Sequence, residues 1–218
     1  MTGLAPKTLE VFKDAARLSC ISDFVLVGGT ALSLQINHRL SADLDFCKWV
    51  DVSTARNGIP YLDIEKELKG SFNSIRTNPI DFDQCDYLVN NEVKFQFFNE
   101  VGYSLPTHDS IPLEGNIRVA PILTIGAMKI KTMFQRSAYR DYYDVFAIVK
   151  EGHLTFKGLL SAGCTYNSKL NIKIVINRLT NHESFHEEEE FGLLTPRYQV
   201  SSREIGEFFV NEVANFSR

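Results

Sequence analysis

The sequence predicts an α/β fold, in which a small mixed sheet flanked by helices is followed by a helical C-terminal part. Between Phe24 and Phe46, an apolar run leads through a glycine turn into a helix and then into a second, alternating run. Residues 86–98 have the pattern of a β-hairpin, and from Pro121 onward apolar residues recur at helical spacing. We therefore predict a core over residues 1–120 and a helical region over 121–218 that closes one side of the core's cleft.

Local signals place the elements of the core in order. Gly and Pro clusters separate the periodic segments, and Asn90-Asn91 is typical of a tight hairpin turn. Residues 71–83 favour neither helix nor strand. The other expected elements are a helix over 5–19, a buried strand over 24–27, a helix over 30–36, a strand over 41–46, a loop over 48–60, a short helix that ends at Gly70, the hairpin over 86–98, a loop over 101–116 and a strand over 117–119.

The C-terminal region contains one ambiguous helical segment. In a continuous helix from Pro121, the charged residues Lys129, Arg136, Arg140 and Asp144 would lie opposite an apolar stripe, whereas Asp141 would fall on the apolar side. Either Asp141 is paired inside the protein or the helix breaks near Ser137, and the break is favoured. Further helices are expected over 156–162 and 168–180, then a polar loop over 181–202 and a last helix through Phe216 that Ser201 or Ser202 caps.

Composition excludes several classes of protein. The chain has 218 residues, 44% of them hydrophobic, with a net charge of −4, which argues against non-specific coating of nucleic acid. It has no apolar run long enough to cross a bilayer and no signal-peptide pattern, so we expect a cytoplasmic protein. The four cysteines are widely spaced, which favours free thiols over disulfides or a zinc site.

The segment around Asp43 and Asp45 carries the strongest functional signal. Strand alternation puts Ser41, Asp43 and Asp45 on one face and Leu44 and Phe46 on the other, and two neighbouring carboxylates repel unless a cation lies between them. Mg²⁺ or Mn²⁺ would suit this pair.

The preceding turn supplies a complementary signal for phosphate. Gly28 and Gly29 allow close approach to the backbone, and the helix that begins at Thr30 offers N–H groups to phosphate. Alone, an acidic pair is usually a solvated strand face and two glycines are usually a turn. Their combination predicts a site for a metal–nucleoside triphosphate.

These motifs resemble those of the AbiEii/AbiGii-type nucleotidyltransferases, within the DNA polymerase β-like superfamily. The matching segments are GGTAL at 28–32, HRLSADLDF at 38–46 and the later pattern of Lys129, Arg136, Arg140-Asp141 and Asp144. The likeness covers most of residues 20–150 and implies a polymerase β-like nucleotidyltransferase core. Many members of the family are bacterial toxins.

The resemblance also implies roles for individual residues. Asp43 and Asp45 would hold the metal, Gly28, Gly29 and Thr30 would cradle the triphosphate, and Lys129 with Arg136 or Arg140 would neutralise it. Arg39 and His38 would lie near the triphosphate, although Arg39 could instead pair with Asp43 or with Glu side chains at the surface, and Lys129 could be an ordinary exposed lysine. The further candidates are Ser41, Gln96, Asp141 and Asp144.

The sequence departs from the superfamily at one position. Related enzymes commonly carry a third carboxylate on a later strand, and the position expected here is occupied by Gln96, a neutral amide. We therefore expect one well-held metal and slow transfer. The predicted function is metal-dependent transfer of a nucleoside monophosphate from an NTP to an acceptor, with a tRNA or other RNA as candidate acceptor and an antitoxin as candidate protein partner. The alternative is an NTP-binding or partner-binding module of the same fold with little or no activity.

Overall fold

The computed structural model of the chain describes residues 2–52, 58–105, 109–186 and 188–216. Within these residues the chain forms a seven-stranded mixed sheet and eight α-helices, which confirms the predicted α/β class. The chain divides into two compact units. The first is Met1–Tyr103 with Asp109–Ala120, and the second contains Pro121–Arg218. No helix of the described part is long and apolar enough to cross a membrane.

The first unit contains the whole sheet, in the strand order β3-β4-β5-β2-β1-β7-β6. Strand β2 lies at its centre, antiparallel to β1 and parallel to β5. The elements are α1 (Pro6–Ala15), β1 (Val25–Val27), α2 (Gly28–Ile36), β2 (Leu44–Val50), α3 (Tyr61–Ser71), β3 (Ile75–Asp81), β4 (Gln84–Val89), β5 (Val93–Val101), β6 (Ile111–Glu114) and β7 (Ile117–Val119).

An aromatic cluster holds one face of this sheet. Phe46, Phe95, Phe97 and Tyr87 are almost fully buried, and the rings of Phe46 and Phe97 stack with 5.0 Å between centroids. Each ring buried in this way stabilises the unit by roughly 1.5–3 kcal/mol. Because side chains alternate along a strand, the residues between these aromatics are directed to the opposite face, where the candidate site lies.

The β4–β5 hairpin confirms the predicted turn. Asn90 and Asn91 have φ angles of 52° and 59°, so both central residues of the turn are in the left-handed region, and the Glu92 N–H closes the turn by donating to the Val89 carbonyl at 3.1 Å. Val89 pairs with Val93, so three residues, 90–92, separate the paired ends of the two strands.

Two predictions for the rest of the first unit need correction, and one stretch that the sequence left open is resolved. Strand β2 runs to Val50, where a loop was expected from residue 48, because its last residues pair with β5. Strand β6 lies inside the expected loop over 101–116 because it pairs with β7, and β3 fills the ambiguous stretch over 71–83 because it pairs with β4. Residues 53–57 and 106–108 of the expected loops lie outside the described residues.

The second unit is helical, and the predicted break in its first helical segment is confirmed. Arg136 is extended, with φ −145° and ψ 156°. At the other end, the Ser201 hydroxyl and the Glu204 carboxylate cap the last helix reciprocally, as expected for Ser201. The α-helices are α4 (Ile122–Gln135), α5 (Tyr139–Lys150), α6 (Phe156–Tyr166), α7 (Ile172–Thr180) and α8 (Ser202–Phe216), with short 3₁₀ turns at His182–Ser184 and Glu189–Leu194 within the expected loop over 181–202.

Candidate functional site

The glycine turn and the second aspartate of the acidic pair are in direct contact. Val27 pairs with Asp45 in the β1–β2 register, so the turn that follows β1 lies beside the Asp45 carboxylate. A Cβ atom added to Gly28 would lie 2.3 Å from Oδ2 of Asp45, and the φ angle of Gly28 is +70°. Both the space and the backbone conformation at residue 28 therefore require glycine.

The second glycine accommodates a buried positive charge. A Cβ atom on Gly29 would lie 2.4 Å from Nη2 of Arg39 and 3.1 Å from Oγ of Ser41. Arg39 is only 4% exposed, and its Nη1 donates to the carbonyl of Leu40 at 2.9 Å. Arg39 therefore does not lie at the surface, and its guanidinium is buried against the N-terminus of α2, where a positive charge would suit phosphate.

Buried hydroxyl groups fix the segment that leads into β2. The Thr30 hydroxyl is within hydrogen-bonding distance of the Ser41 hydroxyl (2.8 Å) and of the Asp43 carbonyl oxygen. Thr30 and His38 are fully buried. These contacts hold the approach to the acidic pair in place. Direct contact of Thr30, His38 or Ser41 with a nucleotide stays a prediction.

The acidic pair flanks the start of β2. The strand begins at Leu44 rather than at Ser41, because Ser41 instead forms an isolated bridge with Leu4. Leu44 is fully buried, whereas the Asp43 side chain is 41% exposed and its Oδ2 lies 3.8 Å from Nζ of Lys94. Asp45 is half-buried on the same side. The two carboxylates are thus directed away from the aromatic core.

The carboxylates of this site are too few to coordinate a cation fully, so they fit a cation whose other ligands come from a bound molecule and from water. Among the described residues, no group of three or more His, Cys, Asp or Glu side chains is placed to hold a metal ion. Two carboxylates with a glycine turn beside them suit a Mg²⁺ or Mn²⁺ ion whose remaining ligands are phosphate oxygens and water.

The register places Gln96 beside Asp45, on the neighbouring strand β5. On its other side Gln96 pairs with Asp86 of β4, and its Nε2 donates to Oδ1 of Asp86 at 3.0 Å. Sequence reasoning missed Asp86. The available signal was the hairpin turn, which brings Asp86 close to Gln96 on the paired strand, but the register that puts the two residues opposite each other depends on the third loop residue, Glu92.

The later charged motif forms a buried ion-pair network within the second unit. Lys129 Nζ lies 2.7 Å from Oδ1 of Asp141 and 2.6 Å from Oδ2 of Asp144, and both carboxylates are fully buried. Arg136 Nε contacts Oδ2 of Asp141 at 2.7 Å, with its side chain half exposed. Arg140, also partly exposed, instead pairs with Glu188 at 3.6 Å.

This network corrects two expectations. The helix break means that the basic residues do not share one continuous helix face, and Asp141 is paired inside as well as lying beyond the break. Lys129 is buried, so it is not an exposed helix lysine. Burial opposes ionisation of Asp141, but the charges and hydrogen bonds of Lys129 and Arg136 outweigh burial and hold the pKa of Asp141 below its usual value. Contact of Lys129, Arg136 or Arg140 with phosphate stays a prediction.

Comparison with solved structures supports the class of fold. A crystal structure of a protein from H. pylori that is provisionally named a nucleotidyltransferase aligns with a TM-score of 0.57 and 18% identity, covering 98% of this chain and 97% of that one. The two chains therefore share a fold.

Sequence comparison is more specific. Residues 15–86 match the model of the AbiEii nucleotidyl transferase toxin of type IV toxin–antitoxin systems, which confirms the resemblance drawn from the motifs. This range contains the glycine turn, Arg39 and both aspartates. Over almost its full length, the chain is 24% identical to the uncharacterised protein aq_aa25 of Aquifex aeolicus (strain VF5), with 216 aligned residues that cover 99% of this chain and 98% of that protein.

The contact between Gly28 and Asp45 predicts a large cost for a small substitution. Gly28→Ala should lower the free energy of unfolding of the metal-free protein by about 2 kcal/mol or more, because the methyl group collides with the carboxylate and the positive φ is strained. Gly70→Ala is the matched control, since no atom lies within 4 Å of its added Cβ and alanine is favoured in helix α3. Equal urea denaturation midpoints for Gly28→Ala and the wild type would contradict the contact.

The buried network predicts an acid-sensitive contribution to stability. The folded-state pKa of Asp141 lies below its unfolded value of about 3.9, so the contribution is complete above that pH and is lost as the pH falls through the folded-state pKa. Asp141→Asn should cost about 3–5 kcal/mol near pH 7, because Lys129 loses a buried partner. The difference from the wild type should narrow below about pH 4.

Denaturation of the two proteins between pH 7 and pH 3 measures this difference. Glu207→Gln is the control, since it breaks only the surface pair with Arg203 and should change stability by less than about 0.5 kcal/mol. A cost for Asp141→Asn that stays constant across the range would show that ionisation of Asp141 does not contribute.

Proposed function

We propose that the protein is a metal-dependent nucleotidyltransferase that transfers a nucleoside monophosphate from an NTP to an acceptor. One observation carries the proposal: the Asp45 carboxylate lies against the bare Cα of Gly28, so the acidic pair and the glycine turn form a single site. The match of residues 15–86 to a nucleotidyltransferase toxin model supports the same reaction.

The turn and Arg39 would bind the triphosphate. Gly28 and Gly29 open helix α2, and the N–H groups of a helix's first turn have no intrahelical partner. These groups, together with the helix dipole, favour negative charge at this point. The buried guanidinium of Arg39 adds a full positive charge directly behind Gly29.

Asp43 and Asp45 would hold the cation next to the bound phosphates. A divalent cation there would stabilise the negative charge that develops on the α-phosphoryl group and on the departing pyrophosphate. The hydroxyl of the acceptor would attack the α-phosphorus, forming a new phosphorus–oxygen bond while the bond to pyrophosphate breaks. Positioning the two reactants is the main task of the protein's own residues.

An RNA, such as a tRNA, is the acceptor class that we propose, and an antitoxin is the proposed protein partner. The antitoxin is supported by the match to a toxin of a type IV toxin–antitoxin system, whereas the RNA acceptor rests on the resemblance of the motifs alone. The net charge of −4 requires any RNA contact to be confined to a local basic surface.

One observation favours a second candidate function. The residue beside Asp45 on β5 is the neutral Gln96 rather than a carboxylate, so the site offers less charge to activate an acceptor hydroxyl. A protein that binds NTP with Mg²⁺ but transfers nothing to any acceptor in a cell lysate would fit a binding module.

The acidic pair provides the direct test of the reaction. Asp43→Ala and Asp45→Ala should each abolish Mg²⁺-dependent binding of NTP and the incorporation of label from α-³²P-labelled NTPs into total RNA, while the fold survives. Asp23→Asn is the control, because this exposed carboxylate of the same unit pairs with Lys48 at the surface, away from the acidic pair, and its loss should leave both readouts unchanged. Retention of both readouts in the two alanine variants would disprove the assignment of the site.

The toxin role predicts a phenotype that depends on the same residues. Overexpression of the wild type should arrest bacterial growth, and overexpression of Asp45→Ala at equal protein level should not, because the arrest requires the transferase site. Growth curves with matched induction measure this. Harmless overexpression of the wild type would count against a toxin role, and equal arrest by both proteins would assign the toxicity to something other than transfer.

A further inference from the structure

Three polar residues form a row across the open face of the sheet. Gln96 on β5 is paired with Asp45 on β2 at one side and with Asp86 on β4 at the other. Residues paired across neighbouring strands point to the same face, and neighbouring strands lie about 4.8 Å apart. Gln96 therefore stands between two carboxylates, one in the candidate site and one a strand further away.

Asp86 determines which end of the Gln96 amide faces it. A carboxylate only accepts hydrogen bonds, and the Gln96 amide approaches Oδ1 of Asp86 at 3.0 Å, so the group at this contact is the NH₂ group. Gln84 donates to the same oxygen at 3.3 Å. The carbonyl oxygen Oε1 is consequently the end of Gln96 that remains for another partner.

Two features of Asp86 make this orientation stable. Asp86 is half-buried and lies in the middle strand of a three-strand antiparallel segment, with β3 on one side and β5 on the other. Its carboxylate receives amide donors from its own strand and from β5, so rotation of the Gln96 amide would turn one oxygen onto another. An amide flip would replace an attraction with a repulsion between oxygens.

We infer that Asp86 is a positioning residue of the candidate site, which keeps Oε1 of Gln96 available as a neutral oxygen ligand for the cation held by Asp43 and Asp45. Amide carbonyl oxygens are suitable ligands for Mg²⁺ and Mn²⁺. The inference rests on the proposed function and assigns a task to Gln96, the residue at which this chain departs from an all-carboxylate site.

A different explanation makes distinct predictions. Asp86 could attract a cation simply through its negative charge, without acting on Gln96. In that case removal of the charge would weaken binding whatever residue occupies position 96. If Asp86 acts by orienting the amide, its effect should require Gln96 and should survive replacement by asparagine, whose side-chain oxygen still accepts hydrogen bonds.

The experiment is a titration with Mn²⁺, followed by electron paramagnetic resonance, in the presence of a non-hydrolysable NTP analogue. Gln96→Leu and Asp86→Leu should each raise the Kd for Mn²⁺ about tenfold, the range observed when groups that orient metal ligands are lost. The double variant should be no weaker than either single variant. Asp86→Asn should stay within about twofold of the wild type. Asp83→Asn removes a charge from the turn just before β4, where the Asp83 side chain accepts a hydrogen bond from Asn99, and serves as the control for charge alone.

Several outcomes would overturn the inference. It is wrong if Asp86→Asn weakens binding as much as Asp86→Leu, if the two leucine substitutions multiply in the double variant, or if Gln96→Leu binds Mn²⁺ like the wild type. Asp86→Asn and Gln96→Leu decide the question by themselves should Asp86→Leu fail to fold. Asp45→Ala distinguishes failure of the proposed site from failure of the inference. Undiminished Mn²⁺ binding in Asp45→Ala would disprove the proposed metal site. Lost Mn²⁺ binding in Asp45→Ala together with normal binding in Gln96→Leu would disprove only the role of Asp86 and Gln96.

Discussion

The carboxylate of Asp45 occupies the space that a side chain at residue 28 would need, and the arrangement of the candidate site depends on this contact. Strand β1 is only three residues long, but its last residue pairs with Asp45 of β2, so the turn that follows β1 lies next to the Asp45 side chain. Gly29 has a corresponding contact with a positive group, since the guanidinium of Arg39 occupies the space that a side chain at residue 29 would need. Two successive glycines therefore let the carboxylate of Asp45 and the guanidinium of Arg39 approach the same turn. A bound metal–triphosphate would need both groups, the negative one for the metal and the positive one for the phosphates.

Charge serves a different purpose in the second unit. There Lys129, Asp141 and Asp144 are buried together, and Arg136 closes the group from a half-exposed position. Buried charges cost several kcal/mol each to remove from water, and only mutual pairing offsets that cost. The network also spans the interruption between α4 and α5, so it ties two helices together where the backbone hydrogen bonds stop. A sequence motif that suggests phosphate contact thus has a demonstrable structural task in this chain.

The features predicted correctly from the sequence depend on residues close together in the chain. The glycine turn and the Asn90-Asn91 hairpin turn follow from local backbone chemistry, and the break before α5 follows from the helical spacing that would otherwise put Asp141 on the apolar side. The features missed depend on pairing between distant segments. The extension of β2 to Val50 and the assignment of β6 as a strand require a partner strand before they become favourable. The burial of Arg39 depends likewise on how residues 38–43 pass the turn, which no periodicity reveals. Asp86 is intermediate, because the turn brings its strand against β5, whereas its register depends on the extra loop residue Glu92 and only the sheet shows that β5 adjoins β2.

Anomalous diffraction from Mn²⁺, in crystals grown with a non-hydrolysable NTP analogue, tests the central claim most directly. The account predicts Mn²⁺ coordinated by the carboxylates of Asp43 and Asp45, with the triphosphate against the N–H groups of Gly28 and Gly29. Because manganese gives its own anomalous signal, the position of the metal does not depend on how the surrounding density is interpreted. Mn²⁺ and triphosphate bound elsewhere in the first unit, with neither aspartate as a ligand, would contradict the account.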